Sequence, residues 1–344
     1  MKASWQKYRL DFRFTAITSR DSLTYKDTYY IKVWDERQPE TCGIGEAGLF
    51  RGLSCDDRPD YEDVLAQVCD NIERYSADDT DALAEYPSIR FGVETALRDL
   101  AGGCRHRLFD TGWTNGKSDI EINGLIWMGD RDTMRTRIED KLAEGFKCIK
   151  VKIGGIDFEE EMQLLNYLRS LAPDIEIRLD ANGAFRPQDA PGRLERLARI
   201  GIHSIEQPVR QGQWDTLGRI CADSPIPIAL DEELIGLNDD DSRCRVLDTI
   251  RPAYIILKPT LTGGFAASDR WIRLAKERGI GWWATSALES NIGLNAIAQW
   301  VSTYDTSMPQ GLGTGQLYHN NIQSPLTLTG DRLRYDSKKS WGTI

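Results

Sequence analysis

Apolar and charged residues alternate near the beginning of the chain. The apolar positions are Tyr8, Leu10, Phe12 and Phe14, and the charged residues Arg9, Asp11 and Arg13 stand between them. Neighbouring side chains of a strand point to opposite faces, so this alternation predicts a strand with one buried face. A second run over residues 28–34 follows a polar segment, and we expect it to pair with the first.

The next segment predicts a loop and two helices. Gly43, Gly45 and Gly48 surround Glu46, which we interpret as a loop with several permissive backbone positions. Residues 59–75 and 88–100 have apolar positions at helical spacing. Antiparallel strands followed by helices predict an α+β domain over residues 1–120.

From residue 121 the pattern changes to short apolar strands that alternate with amphipathic helices. The predicted strands cover 121–128, 148–153, 176–182, 203–208, 226–233, 254–259 and 281–287, and a last one lies near 310–315. Helical patterns occupy the gaps, for example 133–144, 158–171, 190–200 and 266–277. This alternation is typical of βαβ units with a parallel sheet.

Seven or eight such units favour a closed barrel over an open doubly wound sheet, because no GxGxxG motif opens the first unit. We assign residues 121–315 to this barrel, which carries the candidate site at the carboxyl ends of its strands. Residues 316–344 are then expected to return to the N-terminal cap and complete it.

Composition excludes several classes of protein. The 344 residues carry 43 lysines and arginines against 53 aspartates and glutamates, a net charge of −10, and no basic run for a nucleic-acid partner. A hydrophobic content of 40% excludes disorder as a description of the whole chain. No stretch approaches the roughly 18 apolar residues that cross a membrane, and residues 1–14 lack the apolar core of a secretory signal.

Cysteine and histidine usage narrows the chemistry further. The seven cysteines are scattered without a CxxC motif, so we expect neither disulfides nor a zinc site, and a reducing, cytoplasmic setting. With three histidines in all, a Ser/His/Asp hydrolase is disfavoured. We expect His203 and His319 to be structural.

Charged residues recur at the predicted strand ends, and this is the strongest signal in the sequence. In chain order they are Lys150 with Lys152, Asp180, Glu206, Asp231 and Lys258. Consecutive strand ends are separated by 25 to 28 residues, about one βα unit each. In a parallel barrel such residues project into one mouth from neighbouring strands.

Three converging acids need a cation to offset their mutual repulsion. Oxygen ligands select a hard ion, so Asp180, Glu206 and Asp231 predict a Mg²⁺ site that Mn²⁺ could also occupy. The alternative is that these acids only cap the helices that follow.

Lys150 and Lys152 are two residues apart in an apolar strand and therefore share its inner face. A solvated lysine pair at a sheet edge is the alternative. A neighbouring ammonium group and a divalent ion would both lower the pKa of such a lysine, and Lys258 would approach from the opposite wall. Two bases that face a metal suit the removal of a proton alpha to a carboxylate, which forms an enediolate.

As a set, the motifs KVK, RLDAN, IEQP, LDEE and LKP resemble the muconate-lactonizing-enzyme subgroup of the enolase superfamily, and the likeness covers nearly the whole chain. It implies an α/β fold: a modified TIM barrel, (β/α)7β, with an α+β N-terminal capping domain completed by the C-terminal segment. Residues 286–290, SALES, are similar to a segment of o-succinylbenzoate synthases. Residues 311–321 lack the Asp-x-Asp pair that is usual in dipeptide epimerases.

The resemblance implies a metal-dependent lyase of menaquinone biosynthesis. It would remove water with syn geometry from 2-succinyl-6-hydroxy-2,4-cyclohexadiene-1-carboxylate and release 2-succinylbenzoate. An N-acylamino acid racemase or a muconate-type cycloisomerase is the alternative within the subgroup, and a catalytically silent barrel is the alternative outside it. The expected partner is a small carboxylate, and the oligomeric state stays open.

The resemblance also implies roles for individual residues. Lys152 would be the base, Lys150 would tune it, and Lys258 would stabilise the anion or act as a second base. Arg178 and Ser286 are candidate substrate contacts, although a buried salt bridge suits Arg178 as well. Two cap segments, 17–25 and 50–54, would close over the mouth and recognise the distal succinyl group of the substrate.

Overall fold

The computed structural model describes residues 1–17 and 22–344. Strands Lys2–Ile17 (β1), Ser22–Trp34 (β2) and Cys42–Ala47 (β3) form an antiparallel sheet in that order. Helices Tyr61–Asp70 (α1) and Pro87–Ala101 (α2) pack against one face of it and bury Tyr29, Ile31 and Val33. The predicted α+β cap is confirmed, but the helix expected over 59–75 ends at Asp70, before a 3₁₀ turn at Ile72–Arg74.

The cap glycines have a different purpose from the one predicted. Gly43 and Gly45 lie within β3, and neither has a positive φ. A Cβ atom on Gly45 would lie 1.9 Å from the carbonyl oxygen of Gly92 in α2, and one on Gly43 would lie 2.2 Å from the carbonyl oxygen of Ala96. The interpretation as a permissive loop is therefore wrong: these glycines let a strand and a helix approach closely.

The second part of the chain begins with strand Ile120–Glu121 (β4) and continues as a parallel sheet that curls into a barrel. Its strands, adjacent in chain order, are Gly124–Ile126 (β5), Cys148–Lys152 (β6), Glu176–Asp180 (β7), Ser204–Glu206 (β8), Ile228–Leu230 (β9), Tyr254–Leu257 (β10) and Gly281–Ala284 (β11). The helices are Arg131–Ala143 (α3), Phe158–Leu171 (α4), Ala190–Ala198 (α5), Trp214–Asp223 (α6), Asp240–Ile250 (α7), Pro259–Thr262 (α8), Gly264–Glu277 (α9) and Asn291–Val301 (α10). The predicted α/β barrel class is confirmed.

The barrel closes through single residues where a last strand was predicted near 310–315. Gln310 forms a parallel bridge with Ile122, and Gly311 forms one with Thr285, so these two residues connect the first strand region to the last. A 3₁₀ turn at Thr314–Gln316 follows at once and leaves no room for a longer strand.

Alternating burial explains why the barrel strands hold charged side chains. Ile149 and Val151 of β6 pack outward into the main hydrophobic core with the helices, as Ile177 and Leu179 of β7 do. The intervening residues must then face the barrel interior. Every helix in the described part of the chain is too short or too polar to span a lipid bilayer.

The C-terminal segment contacts both parts of the chain. Near its start, Tyr318 bridges to Phe12 of β1, and the side chain of Asn320 bonds to the backbone of Asp11. Farther on, Leu326–Thr329 (β12) and Arg332–Tyr335 (β13) form a small antiparallel sheet with β4. The proposed domain limits at residues 120 and 315 stay a prediction.

Replacing Gly45 with alanine tests the close approach of β3 and α2. We expect Gly45→Ala to lower the free energy of unfolding by roughly 2–3 kcal/mol, because the added methyl group would overlap backbone atoms that cannot rotate away. The measurement is urea denaturation. The control is Gly192→Ala on the exposed side of α5, where nothing lies within 4 Å of the added Cβ and stability should stay equal or rise by up to ~1 kcal/mol. Equal stability of the two variants would contradict the interpretation.

Candidate active site

The six predicted strand-end residues meet inside one mouth of the barrel. Lys152, Asp180 and Glu206 are the last residues of their strands, and Asp231 and Lys258 directly follow theirs. Lys152 is paired in register with Asp180, and Asp180 with Glu206, so the three stand side by side. All six are largely or fully buried.

One end of this row is tied together by two lysines. The Nζ atom of Lys150 lies 2.9 Å from Oδ2 of Asp180 and 2.5 Å from Oε2 of Glu206. Lys152 reaches the same Asp180 oxygen at 2.9 Å. Buried carboxylates are stable only when their charge is compensated, and these lysines compensate it.

The third lysine stands on the opposite side. Lys258 follows β10, which three intervening strands separate from β6, and its Nζ atom lies 2.6 Å from Oδ2 of Asp231. The three carboxylates come from those intervening strands. Lys152 and Lys258 thus face each other across the row of three carboxylates.

The pKa values of Lys150 and Lys258 differ from the expectation of a lowered value. Burial lowers the pKa of Lys150, but the charges of Asp180, Glu206 and Asp231 raise it further, and the net shift is upward. The pKa of Lys258 is likewise raised, because Asp231 outweighs burial and the Lys150 charge. The neighbouring ammonium group is a weaker influence here than the surrounding carboxylates.

The positive charges of the lysines act more strongly on the pKa of Asp180 than on the pKa of Glu206. Burial raises the pKa of Asp180, but Lys150 and Lys152 lower it well below its usual value. For Glu206, burial together with the charges of Asp180 and Asp231 outweighs Lys150, and its pKa is raised. The negative charge of Glu206 is therefore less fully compensated than that of Asp180.

The donor set suits a hard cation. Within residues 1–17 and 22–344, no three acidic, histidine or cysteine side chains converge on one metal-binding point, because the carboxylates turn towards lysines instead. Yet the Oε1 atom of Glu206 is buried without a hydrogen-bond partner. An unpaired buried oxygen beside two more carboxylates fits a divalent ion that takes oxygen ligands.

Asn182 supports the row of acids and was missed in the sequence interpretation. Lys152 also donates to Oδ1 of Asn182 at 2.8 Å, and the amide of Asn182 donates to Glu232 at 3.1 Å. Asn182 has φ +42°, a left-handed value that asparagine tolerates. Its place two residues after a strand-end aspartate was the signal available in the sequence.

Gln207 connects the ends of β8 and β9 and was also missed. Its side-chain oxygen accepts from the backbone N–H of Asp231 at 3.3 Å, and its amide donates to Glu233 at 3.1 Å. With φ +38° it is a further left-handed residue next to the acids. Backbone strain of this kind concentrates at functional sites.

Ser286 lines the cavity as expected, and its hydroxyl is held from behind. It donates to Oε2 of the fully buried Glu289 at 2.5 Å, while Thr260 donates to the other oxygen of Glu289. Leu288, between them, has φ +63° and also lines the cavity. The SALES segment is thus a rigid wall of the cavity.

Glu46 of the cap binds the same wall of the cavity, at the end of the SALES segment. Glu46 accepts from the hydroxyl of Thr28 at 2.7 Å, from the N–H and hydroxyl of Ser290 at 2.9 and 2.6 Å, and from the N–H of Gly293 at 2.9 Å. Glu46 is fully buried. One side chain therefore joins the cap to the barrel directly behind the site.

Arg178 lies outside the cavity. Its guanidinium group donates to Glu176 at 2.7 Å and to the carbonyl oxygen of Pro309 at 2.8 Å, and it lies 4.3 Å from the centre of the Trp283 ring. Arg178 shares the inner face of β7 with Asp180 but sits one layer deeper. The structure shows the buried salt bridge that the sequence interpretation gave as the alternative, and a substrate contact of Arg178 stays a prediction.

The remaining sequence candidates lie away from the acids. His203 stacks on Tyr254, and the backbone of His319 bonds to Asp11, so neither lines the cavity. Trp282 packs against Trp300 on the helix side of β11, opposite the Trp283 ring.

The cavity above the acids measures about 590 Å³ and mixes charged and aromatic walls. Phe50, Arg51, Gly52 and Leu53 of the second cap segment line it, as does Leu23 of the first. Residues 18–21 of that first segment lie outside the described residues. The volume suits a small organic acid rather than a polymer.

The family described as "Enolase C-terminal domain-like" matches residues 133–338. The o-succinylbenzoate synthase of Desulfotalea psychrophila is 46% identical over 97% of this chain and 98% of its own length.

Solved structures agree with the sequence relatives. The crystal structure of MenC from Desulfotalea psychrophila superimposes with a TM-score of 0.84 at 45% identity, covering 97% of this chain and 99% of that one. The muconate lactonizing enzyme of Pseudomonas putida has a TM-score of 0.77 at 20% identity, covering 96% and 93%, and this likeness concerns the fold alone.

Removing the carboxylate of Glu46 tests the link between cap and barrel. We expect Glu46→Ala to lower the free energy of unfolding by roughly 3–5 kcal/mol, because four buried donors lose their acceptor. Chemical denaturation measures the change. The matched control is Glu36→Ala, which removes an exposed cap glutamate whose ion pair with Lys2 should contribute within about 0.5 kcal/mol. A loss below ~1 kcal/mol for Glu46→Ala would refute the link.

Proposed function

The chain belongs to the enolase superfamily, and on that premise we propose that it is a lyase that performs the o-succinylbenzoate synthase reaction. The substrate would be 2-succinyl-6-hydroxy-2,4-cyclohexadiene-1-carboxylate, and the products 2-succinylbenzoate and water. The observation that carries the proposal is the row of three carboxylates between two facing lysines, Lys152 and Lys258. The 46% identical relative supports this particular reaction.

We assign the metal ligands to Asp180, Glu206 and Asp231, on the strength of the unpaired Glu206 oxygen. Bound there, Mg²⁺ or Mn²⁺ would supply the positive charge that makes a proton alpha to a carboxylate acidic enough to remove. The same three carboxylates would then neutralise the lysines less.

Lys152 acts as the base in this proposal. Its amine takes the proton from the ring carbon that bears the carboxylate, and the electron pair passes into the carboxylate to form an enediolate. That pair then forms the new ring double bond as the carbon–oxygen bond to the hydroxyl breaks. Lys152 returns the proton to the departing hydroxide, so water leaves from the face that lost the proton.

The other lysines adjust this chemistry. Lys150, which bridges Asp180 and Glu206, orients the acids and tunes the neighbouring Lys152. Lys258 on the opposite wall stabilises the enediolate by its charge. Asn182 holds Lys152 from the side. Ser286 offers a polar contact to the substrate on the wall fixed by Glu289.

A second candidate function is racemisation of an N-acylamino acid. It is favoured by one observation: Lys258 lines the same cavity as Lys152 from the facing wall, as two-base exchange of an alpha proton requires.

The cellular setting we propose is the cytoplasm, since all seven cysteines are free thiols, as is usual in a reducing compartment.

An absorbance assay tests the proposed reaction. Purified protein should convert the cyclohexadiene substrate to the aromatic product, and EDTA should abolish the conversion until Mg²⁺ is restored. Lys152→Ala should reduce kcat by about 10³-fold or more, as expected when a base is removed. Lys147→Ala, at an exposed lysine before β6, is the control. Full dehydration by Lys152→Ala would sink the mechanism, and a failure of Mg²⁺ to raise the melting temperature would favour a silent barrel.

Solvent deuterium exchange separates the roles of the two lysines. With Lys258→Arg, which keeps the positive charge but not a usable base, we expect dehydration to persist at a reduced rate. Racemisation of an N-acylamino acid should be lost, and exchange of its alpha proton into D₂O should fall to background for the enantiomer whose proton faces residue 258 but persist for the enantiomer that faces Lys152, because only one face loses its base. Mass spectrometry of the recovered acid measures the exchange. Racemisation by Lys258→Arg at the rate of the parent protein would contradict the assignment of Lys258 as a second base.

A further inference from the structure

A further cation lines the cavity on the side of α3. Arg137 is half-buried, and its Nη1 atom donates to the carbonyl oxygens of Trp127 and Met128, both at 2.9 Å. These carbonyls follow β5, so the guanidinium group is anchored to the barrel itself. Its Nε and Nη2 atoms make no hydrogen bond with any described residue. They form the edge of the guanidinium group that binds a carboxylate in bidentate fashion.

Arg137 differs from the other described cations around the cavity in its lack of an acidic partner. Those cations are Arg51, Lys141, Lys150, Lys152 and Lys258. Arg51 pairs with Asp57 at 2.6 Å, Lys141 pairs with Glu144 at 2.5 Å, and the other three pair with the acids of the site. No carboxylate oxygen of a described residue lies within 4 Å of the nitrogen atoms of Arg137. This includes Asp140, which lies on the same helix and also lines the cavity.

Burial disfavours the charge of Arg137, and no acid of the described segments pairs with it. Burial lowers the pKa of Arg137, and Asp130, at the start of the same helix, offsets the effect only in part. A half-buried guanidinium without a counter-ion is costly, and an anionic ligand would remove that cost.

Aromatic surface separates Arg137 from the lysines. The Nζ atom of Lys152 lies 5.9 Å from the centre of the Trp127 ring. The rings of Trp127 and Phe14 are 6.0 Å apart, and the guanidinium carbon of Arg137 lies 5.7 Å from the Phe14 ring. A ligand with one carboxylate near Lys152 and a second near Arg137 would lay its carbon skeleton along this apolar wall.

We propose that Arg137 binds the distal carboxylate of the substrate, at the end of its succinyl chain, and thereby selects dicarboxylates. The inference rests on the proposed function, because that function defines the substrate as a dicarboxylate. The sequence interpretation placed recognition of this group on cap segments, but Arg51 of that region is already bound by Asp57. Of these two described arginines, the anchored Arg137 is the better match.

The test compares two ligands on each variant by isothermal titration calorimetry: 2-succinylbenzoate and its distal monomethyl ester. We expect the parent protein to bind the diacid at least about 10-fold more tightly than the ester. In Arg137→Gln the two dissociation constants should become nearly equal. Because both ligands are measured on the same variant, a partly unfolded fraction cancels from the ratio.

Controls and kinetics sharpen the result. Arg135→Gln removes an exposed arginine two positions earlier, bound to Glu139, and should keep the preference of the parent. Arg137→Lys should retain only part of it, because an ammonium group cannot bind a carboxylate in bidentate fashion. In turnover, Arg137→Gln should raise KM for the cyclohexadiene substrate about 10-fold or more and leave kcat within a few-fold, the behaviour of a lost binding contact.

The outcomes separate this inference from the proposed function. A preference for the diacid that survives Arg137→Gln overturns the inference even if the parent protein is an active dehydratase. A parent that binds diacid and ester equally overturns it as well. If the parent fails to dehydrate the cyclohexadiene but loses its diacid preference with Arg137→Gln, the proposed function fails and the carboxylate site stands.

Discussion

The constraint on which the site depends is the burial of negative charge. Asp180, Glu206 and Asp231 are almost wholly withdrawn from water, and an isolated carboxylate in such surroundings is strongly destabilised. Three lysines compensate the acids, and one oxygen of Glu206 has no hydrogen-bond partner in the described part of the chain. The arrangement is therefore both stable and responsive, because any added cation competes directly with the lysines for the same oxygens.

The rest of the fold keeps this row of charges in place. Parallel strands bring side chains that are far apart in sequence to one edge, and their outward apolar residues pack the helices around them. Glu46 of the cap and Glu289 of the barrel, both buried, then bind the wall that carries Ser286. The acidic row and the cavity wall are thus positioned by separate networks, one within the barrel and one between cap and barrel.

Much of this could be predicted from local patterns. The spacing of the strand-end residues matches the length of one βα unit, so it predicts that they meet at one mouth of the barrel. These residues are Lys152, Asp180, Glu206, Asp231 and Lys258. No repeated spacing identifies Gln207, because its role depends on a contact between the end of β8 and the loop after β9. Gly45 was recognised as special but for the wrong reason, since a close approach to Gly92 involves a partner 47 positions away.

The sequence by itself determined the cap and barrel elements, the parallel arrangement and which residues stand at the strand ends, because side-chain periodicity is a local property of the backbone. Only the tertiary structure decided how charges are shared among those residues. It buried Arg178 against Glu176 and Trp283, one layer below the site, and it gave the guanidinium of Arg137 at the cavity wall no acidic partner among residues 1–17 and 22–344. Pairing of charges depends on distances across the fold, and no pattern along the chain records them.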